Sequence, residues 1–279
     1  MRVLISVDLE GIAGVVHPAD TMLEGIEYER ARRWMTAEAN AAIEGAFAGG
    51  ATEVVVNDSH GHMRNLLVEE LHPSARLIRG ALKPLCMLQG LQPNCDAVFL
   101  VGYHAMAGTG SGILNHTFSG SAVYRLSLNG RSVGEVGFNA ALAGAQGSPI
   151  ALVSGDSILS REVHELLPWA ESVVVKNSIT SWSAESLSPS ESQNLIRTAA
   201  EQALRRLPAM QPLPLPAPIR MEVALFRPAF ADYIAIIPGV ERVDGTTVAF
   251  TAEDMLTINR AWVTMLNVMP MARHPYGYG

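Results

Sequence analysis

Cysteine is almost absent from this 279-residue sequence. Cys86 and Cys95 are the only two, and their spacing matches no zinc-ribbon or redox pattern. That excludes a disulfide framework and leads us to expect two buried thiols in a reducing, cytoplasmic setting. Charge is also sparse, at 17% of residues, which is expected where subunit contacts cover much of the surface. Basic residues are in deficit, with 20 Lys and Arg against 27 Asp and Glu and a net charge of −7. No basic cluster offsets that balance, so nucleic acid and anionic membranes are excluded as expected partners. No apolar run approaches the roughly 18–20 residues of a membrane span. The opening segment meets acids at Asp8 and Glu10 with no small-residue cleavage site, and so reads as a first strand, not an export signal. No internal repeat is present.

What the sequence does have is a series of short apolar, β-branched runs: Val3–Val7, Thr52–Val56, Ala97–Val101, Pro149–Val153 and Ser172–Val175. Each is nearly continuous instead of alternating, as in strands of a parallel sheet buried on both faces. Helical patterns separate them. Tyr28–Ala48 stops at Gly49-Gly50, while Gly134–Ala145 and Ser160–Leu167 are shorter. Ser188-Pro189-Ser190-Glu191 opens another helix with a cap, a Pro at the first position and an acid in the first turn. Asn129-Gly130, flanked by alternating residues from Tyr124 to Val133, is a hairpin signal placed inside this α/β region. Five prolines between Pro208 and Pro218 mark a stiff linker. The expected fold class is α/β, a mostly parallel sheet flanked by helices with an inserted hairpin, plus a smaller C-terminal α+β unit. In domain terms, residues 1–207 form the catalytic domain, 208–218 the linker and 219–279 the C-terminal unit, with a frayed end over 274–279.

Ligands of open parallel sheets gather beyond the carboxyl ends of the strands. Asp8-Leu9-Glu10-Gly11 follows the first run, Asn57-Asp58-Ser59-His60 the second and Gly102-Tyr103-His104 the third. Carboxylates and imidazoles therefore recur at one sheet edge, which suits zinc and similar ions. In an extended segment Asp8 and Glu10 point the same way, and two adjacent carboxylates repel unless a cation lies between them. A dinuclear centre, with one carboxylate bridging ions about 3.5–4 Å apart, resolves that conflict. An acid pair capping a helix or lying in a solvated loop is the alternative. Of eight histidines, His17, His72, His164 and His274 lack acidic or strand-end context, and His62 is ambiguous. His60, His104 and His116 each follow an apolar run with small neighbours, and together they favour a site. Glu135 opens an apolar helix between glycines, where it either joins that site or simply favours the helix amino terminus.

Taken together, Ser6-Val7-Asp8-Leu9-Glu10-Gly11, Asn57–His60, Gly102–Ala105, Asn115-His116-Thr117 and Asn129–Glu135 resemble the zinc-dependent, DppA-like D-aminopeptidase family in order and spacing. The resemblance extends through 35–40, Leu71-His72-Pro73 and Val174-Val175-Lys176, and departs mainly around Phe118–Val123 and after Met269. It implies two zinc ions per subunit, with Asp8 bridging and Glu10, His60, His104 and Glu135 as the other ligands. It implies His116 as a catalytic histidine that is not a ligand. It further implies a homodecamer whose active sites face an inner chamber, acting on small peptides or amino-acid amides. A related amidase keeps the same ligands. A two-metal phosphoesterase is disfavoured because no Arg or Lys stands beside the motifs. A non-catalytic peptide-binding protein of a transporter would be expected to carry an export signal.

Overall fold

The computed structural model describes residues 1–272, so the expectations for His274 and for the 274–279 end lie outside the described residues. The strands are β1 (Arg2–Val7), β2 (Glu53–Asp58), β3 (Arg76–Ile78), β4 (Ala97–Tyr103), β5 (Val123–Leu128), β6 (Arg131–Ser132), β7 (Ile150–Asp156), β8 (Glu171–Thr180), β9 (Ser183–Ser186), β10 (Ile219–Leu225), β11 (Glu241–Arg242) and β12 (Thr247–Ala252). The helices are α1 (Pro18–Thr21), α2 (Tyr28–Ala48), α3 (Glu135–Ala145), α4 (Ser157–Leu166), α5 (Pro189–Arg205), α6 (Pro228–Ile234) and α7 (Met255–Val268).

The larger sheet runs β3-β2-β1-β4-β7-β8-β9 and is parallel except for the β8–β9 pair. The chain first builds outward from β1 through β2 to β3, then returns to place β4 on the other side of β1. The strand order therefore reverses between β1 and β4, and the loops after these strands diverge to leave a crevice there. Apolar side chains lie on both faces. Val3, Ile5 and Val7 pack with α2 and α5, whereas Leu4 joins the core beneath α3 and α7. Helix α4 begins at Ser157, earlier than the sequence suggests, because Asp156 at the end of β7 caps it by accepting the Ile158 and Leu159 N–H groups. Strands β3 and β9 escape sequence reading because they are short and lie at the sheet edges.

The smaller sheet, β11-β12-β10-β5-β6, is antiparallel. The hairpin turns at Asn129-Gly130, both with positive φ as this two-residue turn requires. It does not lie within the larger sheet: β5 pairs with β10, so the segment after the prolines completes a sheet that the first part of the chain begins. The proline-rich segment between them is strapped down. Leu213 and Leu215 pack on the core, Asn129 Nδ2 donates to the Pro216 carbonyl, and the Leu213 backbone crosses α3 at Gly144 with no room for a side chain.

Helix α7 brings Trp262 into the core, edge-on to Phe118 with centroids 5.2 Å apart. Its Nε1 has no hydrogen-bond partner among the described residues. Trp262→Ala should therefore destabilise the fold by about 3–5 kcal/mol. Trp262→Phe should cost clearly less, since it removes the unpaired donor with the lost volume. Equal costs in urea unfolding would contradict this account of the packing.

Candidate metal centre

The reversal between β1 and β4 is where the acidic residues collect. β1 ends at Val7 and the chain turns at once, so Asp8 and Glu10 converge through a turn instead of along an extended strand. Gly11 makes this possible. Its N–H donates to the Gly102 carbonyl at 2.8 Å, and a Cβ there would lie 1.9 Å from the Tyr103 carbonyl oxygen. Lys176, on β8, holds the turn from below: its buried Nζ donates to the carbonyls of Glu10 (2.6 Å), Ile12 (2.9 Å) and Val15 (2.5 Å). The Asp58 carboxylate accepts the N–H groups of Asn65 and Leu66, and Asn65 Nδ2 donates to the His60 carbonyl, which shapes the loop carrying that histidine. Asp156 accepts the Ile113 N–H, which ties the loop carrying His116 to the end of β7.

These supports bring all six sequence-derived residues together. His60 Nδ1 lies 3.2 Å from Asp8 Oδ1 and 2.9 Å from Glu10 Oε2. His104 Nε2 lies 3.6 Å from Asp8 Oδ2 and 3.4 Å from Glu135 Oε1, and His116 Nε2 lies 3.6 Å from the same Glu135 oxygen. The His104 and His116 rings stack with centroids 4.1 Å apart. Glu135 opens α3 and also accepts the Phe118 N–H at 2.6 Å.

The orientation of the imidazoles is the informative feature. His60 Nε2 donates to the Thr21 carbonyl (2.9 Å), His104 Nδ1 to the Ala105 carbonyl (3.0 Å) and His116 Nδ1 to the Leu114 carbonyl (2.9 Å). A carbonyl only accepts, so each of these nitrogens carries the proton and the opposite nitrogen faces the carboxylates. Metal-binding histidines are oriented in this way. His104 Nε2 is buried with no hydrogen-bond partner among the described residues. Carboxylate oxygens and an unpartnered imidazole nitrogen form a donor set that fits zinc.

The electrostatics agree. Burial and the neighbouring Glu10 push Asp8 up to about 7. Burial works to lower His104, but Glu135 and Asp8 outweigh it and push the imidazole up to about 10. His60 rises well above the usual histidine range against the same burial, through Glu10 and Asp8. Three buried carboxylates thus demand cationic charge. Burial and the adjacent His104 hold His116 below the usual range.

The remaining described histidines have local roles. His17 caps α1, His72 and His164 bond to nearby backbone, and His62 contacts Tyr28 without lining the cavity.

A cavity of about 330 Å3 opens over Asp8, Glu10, His60, His116 and Glu135. Its apolar wall includes Met63, Met87 and Phe118, with Val263 and Leu266 from α7. Sequence reading missed this wall and also missed Lys83, which lines the cavity although it stands beside none of the motifs. One signal was available. Lys83 and Lys176 are the only lysines in the chain, every other cationic residue being Arg, and both are buried at this site. The argument against a phosphoesterase from a missing cation therefore does not survive the structure.

Similarity to known proteins decides the class. The model of the M55 peptidase family, described as D-aminopeptidase, matches residues 1–264. The chain belongs to the D-aminopeptidase family. It is 38% identical to the D-aminopeptidase of Bacillus subtilis (strain 168), over 95% of this chain and 96% of that protein. Its fold superposes with a TM-score of 0.94 on the Zn-dependent D-aminopeptidase DppA from Bacillus subtilis, described as a self-compartmentalizing protease, at 36% identity over 99% of both chains. The mixed α/β fold and the peptidase class expected from sequence are thereby established.

Behind the metal-side turn, Glu38 of α2 accepts the Ala13 N–H at 3.0 Å from a fully buried position. Burial pushes its carboxyl up to about 7 from an ordinary value of 4.5. A raised carboxyl binds its proton more tightly in the folded state, so its contribution to stability is greatest below the unfolded value and is lost as pH rises from about 4.5 to 7. Glu38→Gln keeps the acceptor and removes the titration. The variant should gain on the order of 3 kcal/mol over wild type between pH 4.5 and pH 8. A stability difference that stays flat across that range would show that Glu38 does not titrate there.

Proposed function

We propose that this chain is a zinc-dependent aminopeptidase that releases amino-terminal, D-configured residues from short peptides or amino-acid amides, with two zinc ions held by Asp8, Glu10, His60, His104 and Glu135. The observation that carries this reading is the set of imidazoles, each anchored to a backbone carbonyl with its other nitrogen facing buried carboxylates. Asp8 suits the bridging role because one of its oxygens faces His60 and the other His104. When bound, zinc supplies Lewis-acid activation of water and polarises the scissile carbonyl. The chain's own contribution is to fix the donor atoms, to enclose the substrate in the cavity and to handle the proton. His116, beside Glu135, has its Nδ1 proton committed to the Leu114 carbonyl, so its Nε2 would take the proton given up by the attacking water and pass it to the leaving amine.

A second reading has support of its own. His116, His104 and Glu135 place donor atoms within 4.8 Å of one another, which would let His116 serve as a ligand. An amidase with the same ligands and another small substrate differs only in the cavity wall. The cytoplasmic setting rests on the two free thiols.

Zinc content and release of amine from matched D- and L-alanyl amides test these assignments together. Asp8→Ala and His104→Ala should lose zinc and activity in step. His116→Ala should keep its zinc while kcat falls by about 100-fold or more. Loss of zinc in that variant would favour the ligand reading, and full activity would remove His116 from the mechanism. Cleavage of the L series alone would overturn the D preference.

Assembly into a decamer around an inner chamber extends the self-compartmentalizing description of the Bacillus protein to this chain. Exposed Ile26, Trp182 and Ile236 supply apolar surface for such contacts. Light scattering should give a particle ten times the 29.9 kDa chain mass, and a monomer would refute the assembly.

A further inference from the structure

Lys83 is 7% exposed, yet no carboxylate lies within ion-pair distance of it among the described residues. Its Nζ donates to Asn57 Oδ1 at 2.7 Å and to the Asp58 carbonyl at 2.5 Å. Those are two neutral acceptors for three N–H groups. The nearby Asp58 carboxylate is already engaged by Asn65 and Leu66. A buried ammonium without a counter-charge is costly, and the usual remedy is an anionic partner. Lys83 lines the cavity together with Asp8, Glu10, His60 and Glu135, with no ion pair to any of them among the described residues.

An amino-terminal residue held at the metal centre would place the next residue in the same cavity. Each residue advances the chain by only about 3.3–3.6 Å. The carboxylate of a dipeptide therefore falls within the same enclosure, with apolar Met87 and Leu266 beside it for the side chain. A compact ammonium with one free N–H suits that end-on role better than the wide fork of Arg, which the chain uses for every other cation outside Lys176.

We propose that Lys83 receives the free carboxylate of the residue that follows the scissile bond, and so selects short peptides with an unblocked C-terminus over their amides. This rests on the aminopeptidase reading of the same site. A purely architectural role, bracing the turn at Asn57 and Asp58, is the competing account.

The test is steady-state kinetics of the zinc-loaded full chain on D-alanyl-D-alanine and on the same dipeptide with its C-terminus amidated. Wild type should favour the free acid by tenfold or more in kcat/KM. Lys83→Met should erase that preference, chiefly by raising KM for the free acid, while cleavage of the amidated dipeptide falls far less. Lys83→Arg should restore part of the preference. Equal cleavage of both dipeptides by wild type would overturn the proposal without recourse to any variant. So would an equal loss on both in Lys83→Met, because bracing the turn makes no distinction between them. Cleavage of neither dipeptide by zinc-loaded wild type would instead bring down the aminopeptidase reading, and this proposal with it.

Discussion

Three carboxylates, Asp8, Glu10 and Glu135, are buried around His60 and His104 at the edge of a sheet. Left unbalanced, such a cluster would shed its charge by taking up protons. The chain surrounds it with imidazoles whose free nitrogens face inward, which makes it a place for cations. The placement of the surrounding loops follows from that requirement. The turn after β1 is tight because both of its acids must reach one point, and Gly11 is needed because the β4 backbone occupies the space a side chain would fill.

Buried charges of both signs, each set against backbone dipoles, then hold the loops in place. Lys176 gathers three carbonyls of the first turn, Asp58 gathers N–H groups of the second loop, and Asp156 pins the loop of His116. Each places a buried charge on several backbone groups, which offsets its burial while fixing a loop that carries a residue of the cluster. The cavity-lining residues Met63, Cys86 and Phe118 all adopt positive φ, an unfavourable backbone state that persists where the surroundings over-determine it. Among the described residues, three of the seven non-glycine residues with positive φ therefore line this cavity.

The C-terminal segment belongs to the same construction. By pairing β10 with β5 and seating Trp262 against Phe118, it sets α7 as one wall of the cavity. Asp8, Glu10, His60 and His104 follow strands of the parallel sheet, and the apolar wall comes partly from the last helix. Both parts of the chain therefore line the one cavity and are joined through one core.

The amino-acid sequence by itself determined the parallel sheet, because strands buried on both faces must be apolar throughout, and the five runs from Val3 to Val175 announced themselves in that way. It also determined which strand ends carry acids and histidines, since residues that follow a strand inherit its position. Asp8, Glu10, His60 and His104 were legible for that reason, and the order and spacing of the motifs pointed to the family. Only the tertiary structure decided that the hairpin at Asn129 pairs with β10, because two alternating strands carry no label for a partner ninety residues away. It alone decided the ring orientations of the histidines, which depend on carbonyls of Thr21, Ala105 and Leu114. Lys83 and Lys176 belong to the same class. Neither stands in a motif, and each matters through what folding brings beside it: a buried ammonium declares its role by its neighbours, and those neighbours are distant in sequence.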